Sequence, residues 1–465
     1  MKVLIINVCM RPDSRVKMFP IGLGYIATAV KNAGYDFDLL DIDALRLSNE
    51  EVTTYLSGQT YDAVLMGAIV TAYKTIKELT QLVRDQQPET KIIVGNTVAS
   101  SIPEHLLKNT QTDVAVMGEG DVTIIEILDA LDKKKDLNSI NGICFKSDDG
   151  VVRTPARKAI KDIDTLSFID RTIFDIELYI QNSKEQVYAA FPGDRNSVRS
   201  ININTARGCI ANCSFCYHAF RGLPYRARTP ENILEEMKLL IELYRINHFV
   251  FSDELTFFSK KQTLEFCNKI IESGLTFYWV GDCRAGLFDS DKDLKIIEKM
   301  KQAGCYGMFF SLESASNEIL KAMNKNITVE MFNKQAALIN KANLSVWTSL
   351  VFGYPQETPE TIAQTFDVCI KNKIYPSIGY LLPQPGSVMY DYAREHKFIE
   401  NEDDYLHQMG DRQDLRLNMT QMSNKEFEAA IYREAKRCNR ELGLNMDESN
   451  LIKTQYYRTP KKDNI

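Results

Sequence analysis

Histidine and cysteine are both scarce in this chain, at five and ten of 465 residues. Ten thiols over that length are too few for a disulfide scaffold, which excludes the small cross-linked secreted class. No apolar run approaches the roughly 18 residues that a membrane-crossing helix needs, so no span is expected. The opening MKVLIINV reads as a strand followed by turn residues, which is not the pattern of an export leader. Neither charge dominates: 56 Lys+Arg against 62 Asp+Glu leaves −6. No global field therefore draws the molecule to nucleic acid or anionic lipid, and the basic tail at 453–462 reads as a solvated terminus. These absences lead to the expectation of a cytoplasmic protein with a small-molecule substrate and no nucleic-acid or membrane partner. The nicotinamide fingerprint G-x-G-x-x-G is also missing after the first strand, where only Gly22-Leu23-Gly24 hints at it. Before residue 133 the chain has one cysteine, Cys9, and one histidine, His105.

What is present is ordinary in bulk and specific in one place. A content of 44% hydrophobic and 25% charged residues suits a globular protein of two or three domains. Residues 207–217 read RGCIANCSFCY and set Cys209, Cys213 and Cys216 in a C-x3-C-x2-C array. Three thiolates on one short loop suit three irons of a [4Fe-4S] cube and leave the fourth iron open. A closed electron-transfer cluster or a structural zinc knuckle needs a fourth ligand; His218, two residues after the last cysteine, is poorly spaced for that task.

With Tyr217 after the third cysteine, this array resembles the signature of the radical S-adenosylmethionine (SAM) superfamily. The resemblance implies that SAM chelates the open iron and is cleaved to a 5'-deoxyadenosyl radical by one electron. A reductant such as flavodoxin or ferredoxin, and an anaerobic setting for the oxygen-sensitive cluster, follow from it.

The rest of the chain can be read against that implication. Residues 2–132 alternate β-rich runs at 3–8, 37–41, 63–66, 92–94 and 114–117 with helical patterns, which predicts an α/β, flavodoxin-like doubly wound domain. Ligands of such sheets sit at the carboxyl ends of the strands. Those ends carry glycine-rich turns, among them residues 18–24, 67–73, 95–100 and 118–120. The PxGLxYxAxxxKxxG run at 20–34 and the GEG turn at 118–120 resemble the cobalamin (B12)-binding domain found before many radical SAM barrels. The resemblance suggests corrin contacts at Gly22, Leu23, Gly67, Thr71, Gly95, Asn96, Thr97, Gly118, Glu119 and Gly120. The D-x-H-x-x-G loop that supplies a histidine to cobalt in other B12 enzymes is absent, and His105 reads as a surface helix residue. Cobalamin without a histidine ligand is thus implied, with a degenerate domain that has lost the corrin as the alternative.

Residues 136–198 read as a linker, with a small hairpin near 142–152. From 199 to 396 six strands, at 201–205, 249–252, 277–281, 308–312, 346–352 and 378–382, suit a partial (β/α)6 barrel whose chemistry collects at the strand ends. Those ends supply Ser252-Asp253-Glu254, Gly281-Asp282-Cys283-Arg284, Ser311 with Glu313, and Gly353 before Pro355; a PQPG turn stands at 383–386. The family resemblance makes Tyr217, Ser252, Asp253, Glu254, Arg284, Ser311, Glu313 and Gly353 the expected SAM contacts. Arg284 is also suited to a carboxylate by its planar fork. Each has a structural alternative, such as a salt bridge for Arg284. Residues 397–465 read as a C-terminal helical region forming a lid, with Tyr432 and Cys438 set between the substrate side and core packing. Cys267, Cys305 and Cys369 read as buried inert thiols.

The implied function is a B12-dependent radical SAM enzyme, with methyl transfer to an unactivated carbon or phosphorus as the leading reaction. Ring formation or oxidation, as in anaerobic tetrapyrrole cyclases, is the alternative. A methylthiotransferase is disfavoured because its N-terminal domain would carry three more clustered cysteines. A non-catalytic iron-sulfur or corrinoid binding module is opposed by the polar strand ends.

Overall fold

The computed structural model describes residues 1–453; all of the basic tail but Lys453 lies outside the described residues. The first sheet has seven strands in the order β2-β1-β3-β4-β5-β6-β7. They are β1 (Lys2–Asn7), β2 (Asp36–Asp41), β3 (Ala63–Gly67), β4 (Lys91–Gly95), β5 (Val114–Val116), β6 (Ile143–Ser147) and β7 (Gly150–Arg153). The first five run parallel, with helices such as α1 (Ile21–Asn32) and α2 (Tyr73–Gln86) in the crossovers and α3 (Gly120–Asp132) following β5. Coverage on both faces explains why Val3, Leu4, Ile5 and Ile6 are fully buried and why the strands read as apolar runs. The order 2-1-3-4-5 is the flavodoxin-like one. The hairpin expected in the linking segment instead extends this sheet, since β6 pairs antiparallel with β5.

The second sheet is parallel throughout and reads β12-β11-β10-β9-β8. Its strands are β8 (Ser200–Ile203), β9 (His248–Phe251), β10 (Tyr278–Asp282), β11 (Cys305–Phe309) and β12 (Ser345–Trp347). Helices α4 (Pro230–Tyr244), α5 (Lys260–Ser273), α6 (Leu294–Gln302), α7 (Val329–Lys341) and α8 (Pro359–Lys371) follow the strands in turn. Their starts were legible. Thr229 and Thr358 each accept a hydrogen bond from the backbone three residues on, with proline at the first helical position.

The sixth leg departs from expectation: 378–382 is no regular strand. It is held by single bridges, Ser349 to Ser377 and Phe352 to Tyr380, because Arg412 crosses its backbone and the 412 carbonyl takes the Tyr380 N–H. The resulting partial barrel is plugged at its amino end by the linking segment. Tyr188 stacks on Trp347 at 4.2 Å, and Phe191 packs edge-on against His248, Tyr278 and Tyr306. The same segment ties the two sheets together. Its buried Arg171 reaches Glu236 of α4 at 3.3 Å and lies over the Phe19 ring.

Helix α9 (Val388–Glu395) closes the barrel segment, and the C-terminal region supplies α10 (Glu402–Gln408) and α11 (Asn424–Glu441). Helix α10 docks on the first domain, where Asp403 accepts from Lys77 at 2.8 Å, from Tyr73, and stands 3.0 Å from His105 Nε2. His105 is therefore an interdomain contact rather than a free surface residue. Cys438 is core, whereas Tyr432 faces outward and donates to Glu448 at 2.6 Å, away from the barrel mouth.

Candidate active site between the two sheets

The carboxyl ends of both sheets face one another across a cavity of about 350 Å³. Gly22, Leu23, Gly67, Gly95, Asn96, Gly118, Glu119 and Gly120 line it from the first domain, and Asn204, Arg207, Phe220, Ser252 and Glu254 from the barrel. Side chains built at Gly22, Gly95 or Gly118 would meet nothing within 4 Å, so bare backbone forms much of that wall. Thr71 and Thr97 stand aside: Thr71 lies in the helical turn Val70–Ala72, and the Thr97 hydroxyl is occupied by the Val70 N–H at 2.8 Å. Glu119, expected as a corrin contact, has its oxygens engaged. It accepts from Arg207 at 2.7 Å, from Arg226 at 2.8 Å and from the Ile160 N–H at 2.8 Å. Arg207 also forks onto Asp121 with both bonds at 2.9 Å. This buried network fastens the cysteine loop to the start of α3.

The cysteine loop begins directly after β8. Gly208 makes the turn at φ 92°, and its N–H donates to Glu254 at 3.1 Å. Asp253, expected at SAM, is instead the anchor of the incoming strand. It accepts from the Thr205 N–H at 2.8 Å, the Ala206 N–H at 3.0 Å and the Asn204 amide at 2.7 Å. Burial still outweighs those bonds and raises its carboxyl to about 6. Glu254 is likewise raised to about 6 by burial, and stands 4.0 Å from His218 Nδ1.

Beyond the turn, Arg221 donates to the Cys213 and Cys216 carbonyls, and Ser214 is bonded to Met323, Ala322 and the Tyr354 hydroxyl. Tyr217 lies against Gly386 so closely that a side chain there would stand 2.4 Å from its ring, which is why the PQPG turn needs glycine at that place. All three cysteines are free thiols. Burial, with the charges of Cys213 and Cys209, raises Cys216 to about 12, so the three sulfurs feel one another. Among the described residues no three metal-ligating side chains stand ready-gathered, so the thiols must turn inward around iron. A cation would relieve their mutual repulsion, and the donor set fits an iron-sulfur cube.

Around this loop the other expected SAM contacts fall into place unevenly. Ser252 is exposed to the cavity. Arg284 donates to the Lys325 carbonyl and points Nη1 at Cys213 Sγ, 3.9 Å away. Glu313 is buried at φ 64° and is paired with Lys325 Nζ at 2.9 Å, not with Arg284. Lys325 escaped the sequence reading because it sits mid-loop, twelve residues after its partner, with no motif around it. Ser311 accepts from Ser349 at 2.9 Å. Gly353 donates its N–H to Glu357; a side chain there would meet Leu381 and Phe427 of α11 only at ordinary contact distance, so the backbone at φ 120°, not packing, accounts for that glycine. Burial raises Glu357 to about 7.

A doubly wound domain and a partial parallel barrel that share one cavity, glycine-walled on one side and bordered on the other by the two ends of the cysteine loop, define a protein class built to bring two cofactors together. Residues 203–369 match the family model described as the radical SAM superfamily, and residues 11–128 match the B12 binding domain. The chain thus carries both a B12-binding domain and a radical SAM domain. It is 26% identical over 377 residues to "Uncharacterized methyltransferase PH0819" of Pyrococcus horikoshii, covering 80% of this chain and 78% of that one. It is 27% identical to the anaerobic magnesium-protoporphyrin IX monomethyl ester cyclase of Rubrivivax gelatinosus, covering 75% of this chain and 61% of the cyclase. Its fold resembles that of the radical SAM methyltransferase TsrM from Kitasatospora setae, solved with cobalamin and a [4Fe-4S] cluster. That match has a TM-score of 0.67 at 19% identity and covers 86% of this chain and 78% of TsrM. No helix of the described residues is long and apolar enough to cross a membrane.

Proposed function

We propose that this enzyme is a cobalamin-dependent methyltransferase acting on an unactivated carbon or phosphorus centre of a small molecule. One observation carries the reading: the glycine wall of the first sheet shares its cavity with Arg207, Ala219 and Phe220, the residues at the two ends of the cysteine loop. When bound, the cluster and SAM supply a 5'-deoxyadenosyl radical, and the corrin supplies a methyl carrier. Cys209, Cys213 and Cys216 hold the cluster. Tyr217, Ser252, Glu254, Arg284, Ser311 and Glu313 surround SAM, with Lys325 fixing the Glu313 carboxylate. Gly22, Leu23, Gly67, Gly95, Asn96, Gly118 and Gly120 let a flat macrocycle lie on backbone. The engagement of His105 with Asp403 supports a corrin without a histidine ligand. A flavodoxin or ferredoxin supplies the electron.

The buried pairs Arg207–Glu119 and Arg226–Glu119 position the loop and exclude water at the cavity edge. The test is anaerobic reconstitution with cluster and cobalamin, then product analysis with SAM. A methyltransferase consumes SAM to both S-adenosylhomocysteine and 5'-deoxyadenosine in step, once its substrate is present. Deoxyadenosine alone, with no methyl loss, would favour the cyclase or oxidation reading that the cyclase relative supports. EPR of the cobalt(II) form shows no nitrogen splitting from the protein if the ligand assignment holds.

A further inference from the structure

The barrel lumen holds a second cavity, of about 450 Å³, that neither cofactor assignment uses. Its walls are flat and apolar, with Phe251, Phe309, Trp347 and Tyr375 among them. Two charged side chains face it, Asp282 at the carboxyl end of β10 and Arg412 from the C-terminal region. Neither has an ionic partner among the described residues. Asp282 makes no side-chain hydrogen bond there, and Arg412 donates only to the Ser377 hydroxyl at 2.9 Å and the Leu350 carbonyl at 3.4 Å. Of the other titratable groups on the wall, His248 is satisfied by Ser200 at 2.8 Å and Tyr306 at 3.1 Å, with burial holding it neutral, near 3, while Tyr375 donates to the Leu451 carbonyl at 2.7 Å and Tyr188 stacks on Trp347.

Arg412 reaches the lumen only because the sixth leg has glycine at 379, where a side chain would stand 2.8 Å from the guanidinium. An unpaired carboxyl and an unpaired guanidinium inside one cavity are costly unless a ligand completes both.

We propose that the lumen seats a zwitterionic substrate of the aromatic amino-acid class, its ammonium on Asp282, its carboxylate on Arg412 and its flat body against the aromatic wall. A carboxylate matches the guanidinium fork, and an aromatic body matches the wall. Burial and the Asp253 charge raise Asp282 to about 8, so near neutral pH its carboxyl holds a proton, whose place a bound ammonium would take. That the ligand is the methyl acceptor rests on the methyltransferase reading; the ligand class does not.

The test measures equilibrium binding by calorimetry to the full chain carrying its cluster, under anaerobic conditions, with three matched probes: tryptophan, tryptamine and 3-(indol-3-yl)propanoate. Tryptophan should bind at least about tenfold tighter than either analogue, each of which leaves one charge unmet. Asp282→Asn should erase the advantage over the acid, and Arg412→Gln the advantage over the amine. Because Arg412 also braces the sixth leg, Arg412→Lys is measured alongside; it should keep part of the advantage over the amine. Equal binding of the three probes, no binding at all, or selectivity unchanged in Asp282→Asn and Arg412→Gln would overturn the proposal. S-adenosylhomocysteine and deoxyadenosine are assayed on the same protein after it is loaded with cobalamin and reduced. Selectivity without S-adenosylhomocysteine would keep the ligand class and reject the methyltransferase reading, and both products without selectivity would do the reverse.

Discussion

The two parallel sheets end in opposite chemistries. At the carboxyl edge of the first, glycines 67, 95, 118 and 120 leave bare backbone, and the buried acids there are already engaged, Glu119 by Arg207 and Arg226 and Asp41 by Asn7 and Tyr179. At the carboxyl edge of the second, nearly every strand ends in a charged or hydroxyl side chain, from Asp253 and Glu254 through Asp282 and Arg284 to Ser311 and Glu313. The same topology thus serves recognition by shape on one side and by side-chain charge on the other. A large flat ligand needs close approach to backbone, whereas a radical reaction on a small one needs its groups fixed and dry. The contrast also separates their vulnerabilities, because removing atoms damages the charged edge and adding atoms damages the glycine edge.

The largest effect that would sharpen this contrast is at the cluster. Cys213→Ala should lose most of the iron on anaerobic reconstitution while cobalamin retention stays near wild type. Equal iron in variant and wild type would break the assignment, and joint loss of iron and corrin would show that the two edges are not independent.

Next comes the charged edge itself. Glu313→Ala strands the buried Lys325 ammonium and should cost about 3–5 kcal/mol of stability, besides abolishing deoxyadenosine formation. Glu313→Gln, which keeps a hydrogen-bond acceptor for Lys325, should recover much of the melting temperature but little of the product. An alanine variant that melts like wild type would refute the pairing.

The glycine edge is tested by addition. Gly22 lies in α1 facing the cavity, and a side chain there meets nothing within 4 Å. Gly22→Leu should leave stability unchanged or raise it by about 0.5–1 kcal/mol through helix propensity. Cobalamin uptake should fall about tenfold or more, with iron content unaffected. Unchanged corrin binding would remove this wall from the corrin site.

The smallest effect concerns the clamp of α10 on the first domain. Hydrogen bonds from Lys77, Tyr73 and His105 overcome burial and hold the Asp403 carboxyl down at about 2. A depressed carboxylate stabilises the fold above its unfolded value, near 4, and that contribution disappears as pH falls towards 2. Asp403→Asn should therefore melt lower than wild type at neutral pH, by about 1 kcal/mol given that a third of the side chain faces water, and the two melting curves should converge near pH 2.

Much of this molecule was written locally. The cysteine spacing, the glycine turns, the Thr-Pro helix starts and the period of the strands depend on neighbours within a few residues, and the sequence determined them on its own. Burial of Cys267, Cys305 and Cys369 followed from apolar periodicity in the same way. What sequence could not rank was which polar strand-end residue meets a ligand and which meets the chain. Asp253 and Glu254 are adjacent and chemically alike, yet one is spent on the Asn204 side chain and the backbone of residues 205 and 206, and the other opens onto the cavity. Glu119 looked like a cofactor contact until two arginines about ninety and a hundred and ten residues away arrived to claim it. Lys325 beside Glu313, Arg412 across Gly379 and Asp403 on His105 were decided only by tertiary structure. The reason is that a buried charge takes its meaning from the partner that satisfies it, and such partners come from elements whose separation along the chain has no fixed period.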